Sequence, residues 1–264
     1  MHYTEINKAS WDERTKIHLD SEFYNVPEFL KGKSSLNQIE LDLLPNLEGL
    51  KLLHLQCHFG QDTISLQRMG AQATGIDLSS EAIRTAKELN QQCGTDCHFV
   101  ESSVYDLPKN LEGEFDVVFT SYGTVGWMPD MNQWAEVVSH FLKPGGKFYF
   151  IEFHPYCWMH DDFLKEVMYS YFNVEDIKET DAGSYTENDN STELKSVTWN
   201  HPISEIVNAL IKSGISIDQL NEYPNSPYKV FKEMRELKDG TFDMAHTPEK
   251  LPLVYSITAS KRAK

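Results

Sequence analysis

Four stretches of the chain put polar residues directly behind short apolar runs. The first is His54-Leu55-Gln56-Cys57-His58-Phe59-Gly60-Gln61, behind the run that begins at Lys51. The second is Gly75-Ile76-Asp77-Leu78, and the third is Glu101-Ser102-Ser103-Val104-Tyr105-Asp106. The fourth, Ser121-Tyr122-Gly123-Thr124-Val125-Gly126-Trp127, ends the strongly apolar Phe115 to Ser121. A carboxylate such as Asp77 at a strand end can accept two hydrogen bonds from the hydroxyls of a ribose. Ser103 lies where a polar group meets the edge of a base. Ser121 and Tyr122 are delivered to the same mouth.

These residues share one mouth only if their apolar runs are neighbouring strands. Lys51 to Gln56, Ala73 to Ile76, Cys97 to Val100, Phe115 to Ser121 and Lys147 to Phe153 read as short buried strands. Helical spacing separates them: Asp62 to Met69 stops at Gly70, and Ser79 or Ser80 caps a helix through Leu89. Asn132 to Leu142 ends in Lys143-Pro144-Gly145-Gly146. Such alternation predicts an α/β, doubly wound, mostly parallel sheet covered on both faces. Ligands of such sheets settle at the carboxyl ends of the strands. Alternation lapses after His154. Residues 160–199 read as an inserted antiparallel segment or lid, with Tyr169, Tyr171, Phe172, Tyr185 and Trp199 as its aromatics. A helix from Ile203 to Ser213, a strand from Ile215 to Leu220 and a last strand from Leu253 to Ala259 follow. With no crossover helix between them, the last two strands are expected as antiparallel neighbours. Ahead of the core, residues 1–48 read as a helical cap with Ile6, Ala9, Trp11 and Ile17 among polar residues. The core then spans 49–264.

The order of Leu53 to Gly60, Gly-Ile-Asp-Leu at 75–78, Asp106-Leu107-Pro108, Phe115-Asp116-Val117-Val118 and Leu142 to Gly146 resembles the class I S-adenosylmethionine-dependent methyltransferases of the small-molecule type. The resemblance covers Leu50 to about Glu152 with specific motifs. It implies a seven-stranded sheet with an antiparallel last strand, and S-adenosylmethionine as cofactor, leaving as S-adenosylhomocysteine. By the same likeness Asp77 binds the ribose, Leu78 packs on the adenine, and Ser103 with Val104 reads its edge. Gly60 and its neighbours hold the methionine end. The chain departs from the family in its first motif, where an acid usually stands at His54 and glycines at Gln56 and His58. A pyrophosphate needs bare backbone at a helix start. The methionine end needs only a few polar groups, which His54, Gln56, Cys57, His58 or Gln61 can supply.

In methyl transfer the protein supplies binding, orientation and electrostatics. The acceptor must lie in line with the methyl, and a base is needed only for a protonated acceptor. Tyr122 and Trp127 are candidates for the wall facing the methyl; the alternative for Trp127 is packing under the next helix. His154, behind the fifth strand, is either a general base or an ordinary hydrogen-bonded histidine. Trp11, His18 and Tyr24 can fold over the crevice, or Trp11 can anchor its helix to the core. His201 reads first as a helix-entry residue, and Glu175 to Asp181 as a solvated face. Ligand types recur at His54 and His58, at Cys93, Cys97 and His98, and at His154, Cys157, His160 and Asp161. None has the paired spacing of a zinc site, and no metal is expected.

Composition bounds the rest. The 264 residues are 40% hydrophobic and 24% charged, with a net charge of −16. That balance disfavours a nucleic-acid partner. No apolar run approaches the ~20 residues of a membrane span, and Met1 to Glu5 does not read as a secretory signal. Four scattered cysteines suit a reducing cytoplasm. The expectation is an enzyme acting on a small-molecule methyl acceptor, as a monomer or homodimer. A non-catalytic binder of S-adenosylmethionine or S-adenosylhomocysteine on a decayed enzyme is the second reading. A nicotinamide dehydrogenase is the third, and it lacks its Gly-x-Gly-x-x-Gly turn at 54–63.

Overall fold

The structure, a computed structural model, describes residues 2–186 and 192–262. Three helices come first: α1 (Tyr3–Leu19), α2 (Val26–Leu30) and α3 (Gln38–Leu43). The alternating core follows as β1 (Lys51–Leu55), α4 (Gln61–Arg68), β2 (Gln72–Asp77), α5 (Ser80–Cys93), β3 (His98–Glu101) and α6 (Leu107–Asn110). It continues with β4 (Phe115–Ser121), α7 (Met131–Phe141) and β5 (Leu142–Phe153). A hairpin of β6 (Ile177–Ala182) and β7 (Glu193–Thr198) precedes α8 (Ile203–Lys212) and β8 (Ile215–Tyr223). Two short strands, β9 (Met234–Glu236) and β10 (Phe242–Met244), lead to β11 (Val254–Lys261).

Seven strands form one sheet in the order β3-β2-β1-β4-β5-β11-β8. The first five run parallel, and β11 is antiparallel to both β5 and β8. The expected doubly wound sheet with an antiparallel last strand is therefore the fold. Strand order reverses between β1 and β4, which is where a ligand crevice opens. Near-continuous apolar runs make these strands, because helices cover both faces. On one face Trp134, Phe148, Phe150 and Tyr255 are fully buried with α7 and α8. On the other, Leu52, Phe119 and Ile151 pack under the α3 side, while Phe59, Ile64 and Phe99 pack under α4 and α5. Helix ends match the residues read as signals: Ser79 Oγ accepts from Ala82 N at 3.0 Å, and Gly70, just past the end of α4, has φ +101°. The fifth strand starts earlier than expected, because Leu142 already pairs with Phe115 before the Pro144-Gly145-Gly146 irregularity.

Two insertions, rather than the one expected, stand near the crevice. The first contains the β6–β7 hairpin; residues 187–191 of the expected lid lie outside the described residues. The second, residues 224–253, carries β9 and β10. It buries Phe231, Met234, Met244 and Leu253 against Cys157 and Leu164.

Helix α1 corrects the reading of its own pattern. Its apolar Ile6, Ala9 and Ile17 are not buried; its buried face is Asn7, Ser10, Arg14, Thr15 and His18. That stripe is polar because it faces a cavity and a lid instead of an oily core. Asn7 Nδ2 donates to Val197 O at 2.8 Å, and Val197 N donates to Asn7 Oδ1 at 2.9 Å. The amide thus completes the edge of β7 and ties cap to hairpin. Among the described residues no helix is long and apolar enough to cross a membrane. Asn7→Ala strands both backbone groups of the buried Val197. A loss of about 2–3 kcal/mol is expected in denaturant unfolding, with faster hydrogen exchange at the Val197 amide. A loss below about 0.5 kcal/mol would show that the bond pair does not hold the hairpin.

Candidate active site

The crevice is a cavity of about 1360 Å³ at the carboxyl ends of β1, β2 and β4, roofed by α1 and the β6–β7 hairpin. Two carboxylates set its floor by the same device. The β1–β2 ladder ends with Cys57 N donating to Ile76 O at 2.8 Å. One residue on, Asp77 Oδ2 accepts from His58 N at 2.8 Å, and Oδ1 accepts from Ser79 N at 2.9 Å. The β4–β5 ladder ends with Tyr122 N donating to Ile151 O at 2.8 Å. One residue on, Glu152 accepts from the backbone N–H groups of Gly123 and Thr124 (2.7 Å for the latter), from Thr124 Oγ1 at 2.9 Å, and from Val125 N at 3.3 Å. Each carboxylate thereby fixes the turn after the neighbouring strand.

The turns so fixed are strained. Gln56, His58 and Tyr122 all sit at positive φ (55°, 51° and 39°), a region that costs a non-glycine residue roughly 1–2 kcal/mol. Gly60, at φ +83°, has a second requirement: an added Cβ would lie 2.7 Å from the Phe99 ring. Neither Gln56 nor His58 is a glycine, yet both hold left-handed backbone. Gln56 Nε2 donates to Thr124 O at 2.8 Å and bridges the two turns.

The cap closes over them through its polar stripe. His18 Nε2 meets Ser184 Oγ at 2.6 Å, and its Nδ1 lies 3.3 Å from His58 Nε2. Burial lowers the pKa of His18 to about 2, and those of His54 and His58 to about 3, so all three are neutral near pH 7. Trp11 packs edge-on against both His58 and Trp127. Arg14 is 7% exposed, with its guanidinium 5.9 Å from the Trp11 ring centre and 6.0 Å from that of Trp127. Tyr24 stacks on His18, and its hydroxyl bonds that of Tyr185.

Every expected cofactor residue borders this cavity: His54, Gln56, Cys57, His58, Gly60, Gln61, Asp77, Leu78, Ser103, Val104, Ser121 and Tyr122. So do Trp11, Tyr24 and Trp127. His154 does not. Its Nε2 pairs with Glu222 at 3.0 Å, and its Nδ1 accepts from Tyr156 N at 3.1 Å, which turns it to the β8 edge. The hydrogen-bonded alternative describes it, and its place as a catalytic candidate is withdrawn. His201 is also buried and satisfied, with Nε2 2.7 Å from Met128 O and Nδ1 3.0 Å from Glu205. Within the exposed acidic run, Glu179 and Asp181 reach the cavity. Sequence reasoning missed Glu152, Arg14, Asp62, Tyr228 and Glu40. The signal for Glu152 was present: one charge at the end of an apolar strand. Burial raises its pKa against the pull of the N–H groups it accepts from. Asp62 lines the wall, accepting from Ser35 Oγ at 2.6 Å and Ser121 Oγ at 3.4 Å. Glu40 stands just behind it, accepting from Tyr122 Oη at 3.2 Å.

Comparison with known proteins agrees with this geometry. Residues 53–148 match the family model of a methyltransferase domain. An uncharacterized methyltransferase of Synechocystis is 35% identical over 130 residues, 48% of this chain and 59% of that protein. A ubiquinone biosynthesis O-methyltransferase of Xanthomonas euvesicatoria is 31% identical over 122 residues, 45% of this chain and 51% of that protein. The chain thus spans about half the length of the curated relatives it matches. The crystal structure of an S-adenosylmethionine-dependent methyltransferase from Mesorhizobium loti superposes with a TM-score of 0.57 at 20% identity, covering 88% of this chain and 99% of that one.

Two outcomes test the site. Glu152→Ala leaves three N–H groups of the turn after β4 without their acceptor. It is expected to cost about 3–5 kcal/mol, from roughly 1–3 kcal/mol for each stranded N–H group, and to speed amide exchange at 123–125; protection unchanged there would exclude the clamp. For Glu40, burial first and then the Asp62 charge raise the pKa from 4.5 to about 7. A raised acid ionises first in the unfolded chain, so its stabilising effect is full below pH 4.5 and is lost as pH climbs to about 7. Glu40→Gln removes that loss. The variant should therefore gain on the order of 2–3 kcal/mol relative to the parent between pH 5 and 8. A difference that does not change with pH would show that Glu40 titrates ordinarily.

Proposed function

From the premise of a methyltransferase domain on the class I fold, we propose that the chain binds S-adenosylmethionine in this cavity and transfers its methyl group to a small-molecule acceptor by in-line displacement. The observation that carries the reading is the convergence of Asp77, the Gln56–Gly60 turn and the Ser121–Trp127 loop on one cavity. At about 1360 Å³ that space exceeds the roughly 300–1,000 Å³ usual for a single ligand. It has room for cofactor and acceptor together, which favours an enzyme over a binder of the cofactor alone. The likeness to an O-methyltransferase of ubiquinone biosynthesis supports a small acceptor.

The residues present fit the cofactor. Each Asp77 oxygen keeps a lone pair beyond its backbone bond, enough for two ribose hydroxyls. Among the described residues His54 Nε2 and Gln56 Oε1 are buried without partners, and a ligand's polar end would satisfy them. When bound, S-adenosylmethionine supplies a methyl group already activated by its sulfonium. The chain's own part is orientation. Glu152 holds the Tyr122–Trp127 loop in one conformation, Tyr122 and Trp127 wall the reaction space, and α1 with the hairpin excludes water. The neutral His18 and His58 put no positive charge against a sulfonium. A reducing cytoplasm suits the four free cysteines, and a monomer or homodimer remains the proposed assembly.

Asp77→Ala is expected to weaken S-adenosylhomocysteine binding about tenfold or more, read by isothermal titration, with thermal unfolding as a check on folding. Radiolabelled S-adenosylmethionine should pass its label to a small molecule from a metabolite extract. Tight binding with no transfer would return the non-catalytic reading. No binding of either cofactor form by the parent protein would end the proposal.

A further inference from the structure

Two buried polar atoms bordering the cavity are left over by the cofactor reading. Tyr255 is fully buried on β11, Asn200 is 4% exposed just past β7, and both line the cavity. Among the described residues the Tyr255 hydroxyl and Asn200 Oδ1 have no hydrogen-bond partner. An unmet buried group destabilises the free protein and marks a place for an incoming partner. The β5–β11 register sets Tyr255 directly opposite Glu152, so the two side chains share a face. Glu152 is already filled: Oε1 accepts from Gly123 N and Phe153 N, and Oε2 from Thr124 N, Thr124 Oγ1 and Val125 N. A carboxylate has about four lone-pair sites, which leaves none for Tyr255. Burial, with Glu152 and Tyr171 beside it, holds the phenol's pKa well above its ordinary value, so the hydroxyl stays a donor.

Asn200 brings the opposite kind of atom to the same region. Its Nδ2 donates to Pro155 O at 3.2 Å and to Ser170 O at 3.0 Å, which uses both N–H bonds and fixes Oδ1 as the end left over. Those carbonyls adjoin His154, whose ring centre lies 5.8 Å from that of Tyr255, and Tyr171, whose phenol acts on that of Tyr255. Trp199 N donates to Gly126 O at 2.8 Å and ties Asn200 to the loop after β4. In sheet order β11 stands three strands from β1, roughly 14 Å at about 4.8 Å per strand. The pair therefore lies on the far side of β4 from Asp77 and the Gln56–Gly60 turn.

What the two atoms lack selects their ligand. Tyr255 needs an acceptor, and Asn200 Oδ1 needs a donor. An ammonium group offers donors only. A carboxylate offers acceptors only, and no Lys or Arg is among the groups acting on Tyr255 to balance its charge. A hydroxyl or a primary carboxamide offers both from one neutral group. We propose that Tyr255 and Asn200 form the subsite that holds the methyl acceptor by an uncharged hydroxyl or primary carboxamide. This rests on the reading of the cavity as the ligand site of a methyltransferase, and it narrows the acceptor to molecules that carry such a group.

Ligand-observed NMR on the intact protein, saturated with S-adenosylhomocysteine, compares four probes. Benzyl alcohol and benzamide both donate and accept, benzyl methyl ether only accepts, and toluene does neither. The parent is expected to bind the alcohol, the amide or both about fivefold or more tighter than the ether and toluene; the tighter of the two identifies the group. Tyr255→Phe, near-isosteric, removes that preference while S-adenosylhomocysteine still binds. Having lost an unmet buried hydroxyl, the variant without ligand melts at the parent's temperature or above it. A parent that binds none of the probes, or all four alike, overturns the site. So does a preference that survives in Tyr255→Phe. A variant that melts below the parent overturns it too, because the hydroxyl would then already be satisfied in the free protein. A parent that binds no S-adenosylhomocysteine defeats the proposed function instead, and the same probes titrated into the free protein then still read Tyr255.

Discussion

A carboxylate placed one residue past the end of a parallel ladder organises this molecule. Parallel pairing must stop where strands meet the mouth of the sheet, and the next backbone N–H groups then lack carbonyl partners. Asp77 takes over for the turn after β1, and Glu152 for the turn after β4. These turns flank the point where strand order reverses, so the device acts on both walls of the crevice at once. The bond energy does more than stabilise. It keeps Gln56, His58 and Tyr122 in left-handed backbone that none would choose alone, and so fixes where their side chains point.

The polar stripe of α1 extends that order outward. Trp11 and His18 touch the turn after β1, Trp11 touches the loop after β4 through Trp127, and Asn7 with Arg14 reaches the hairpin segment. One helix therefore senses both walls and the lid. It carries few apolar contacts, and elements held by polar bonds over a cavity are drawn from the less stable end of a fold. Loosening α1 would open the crevice without disturbing the sheet, whose core is built from other residues, such as Phe119, Phe148 and Phe150.

How far the sequence could be read follows from what wrote it. Strands buried on both faces and amphipathic helices such as α5 and α7 leave periodic signatures, and the alternating, mostly parallel core was legible from them. Asp77 was found because a family motif marks it. Glu152, doing the same work at β5, was not, because no motif singles it out and only its charge in an apolar strand speaks for it. The residues at 224–253 show neither period. Their apolar residues pack into a small cluster of their own with Cys157 and Leu164, so their role lies in contacts distant in sequence. In α1 the apolar residues pointed to the wrong face. Amphipathic reasoning assumes an oily neighbour, and here the neighbour is a polar cavity.

The side chains of the first turn carry a chemical consequence. Glycine serves a nucleotide-binding turn in two separate ways, by allowing positive φ and by leaving backbone bare for an approaching phosphate. Here the first is retained by force, through the Asp77 bond to His58 N, while the second is given up. Gln56 and His58 fill the space above the backbone with an amide and an imidazole, and burial keeps the imidazole neutral. A pyrophosphate would meet side chains, no bare N–H cradle, and the negative charges of Asp62 and Asp77. A ligand without phosphate that carries positive charge meets acceptors instead. The proposed cofactor, which has no phosphate, therefore suits this turn better than a dinucleotide does.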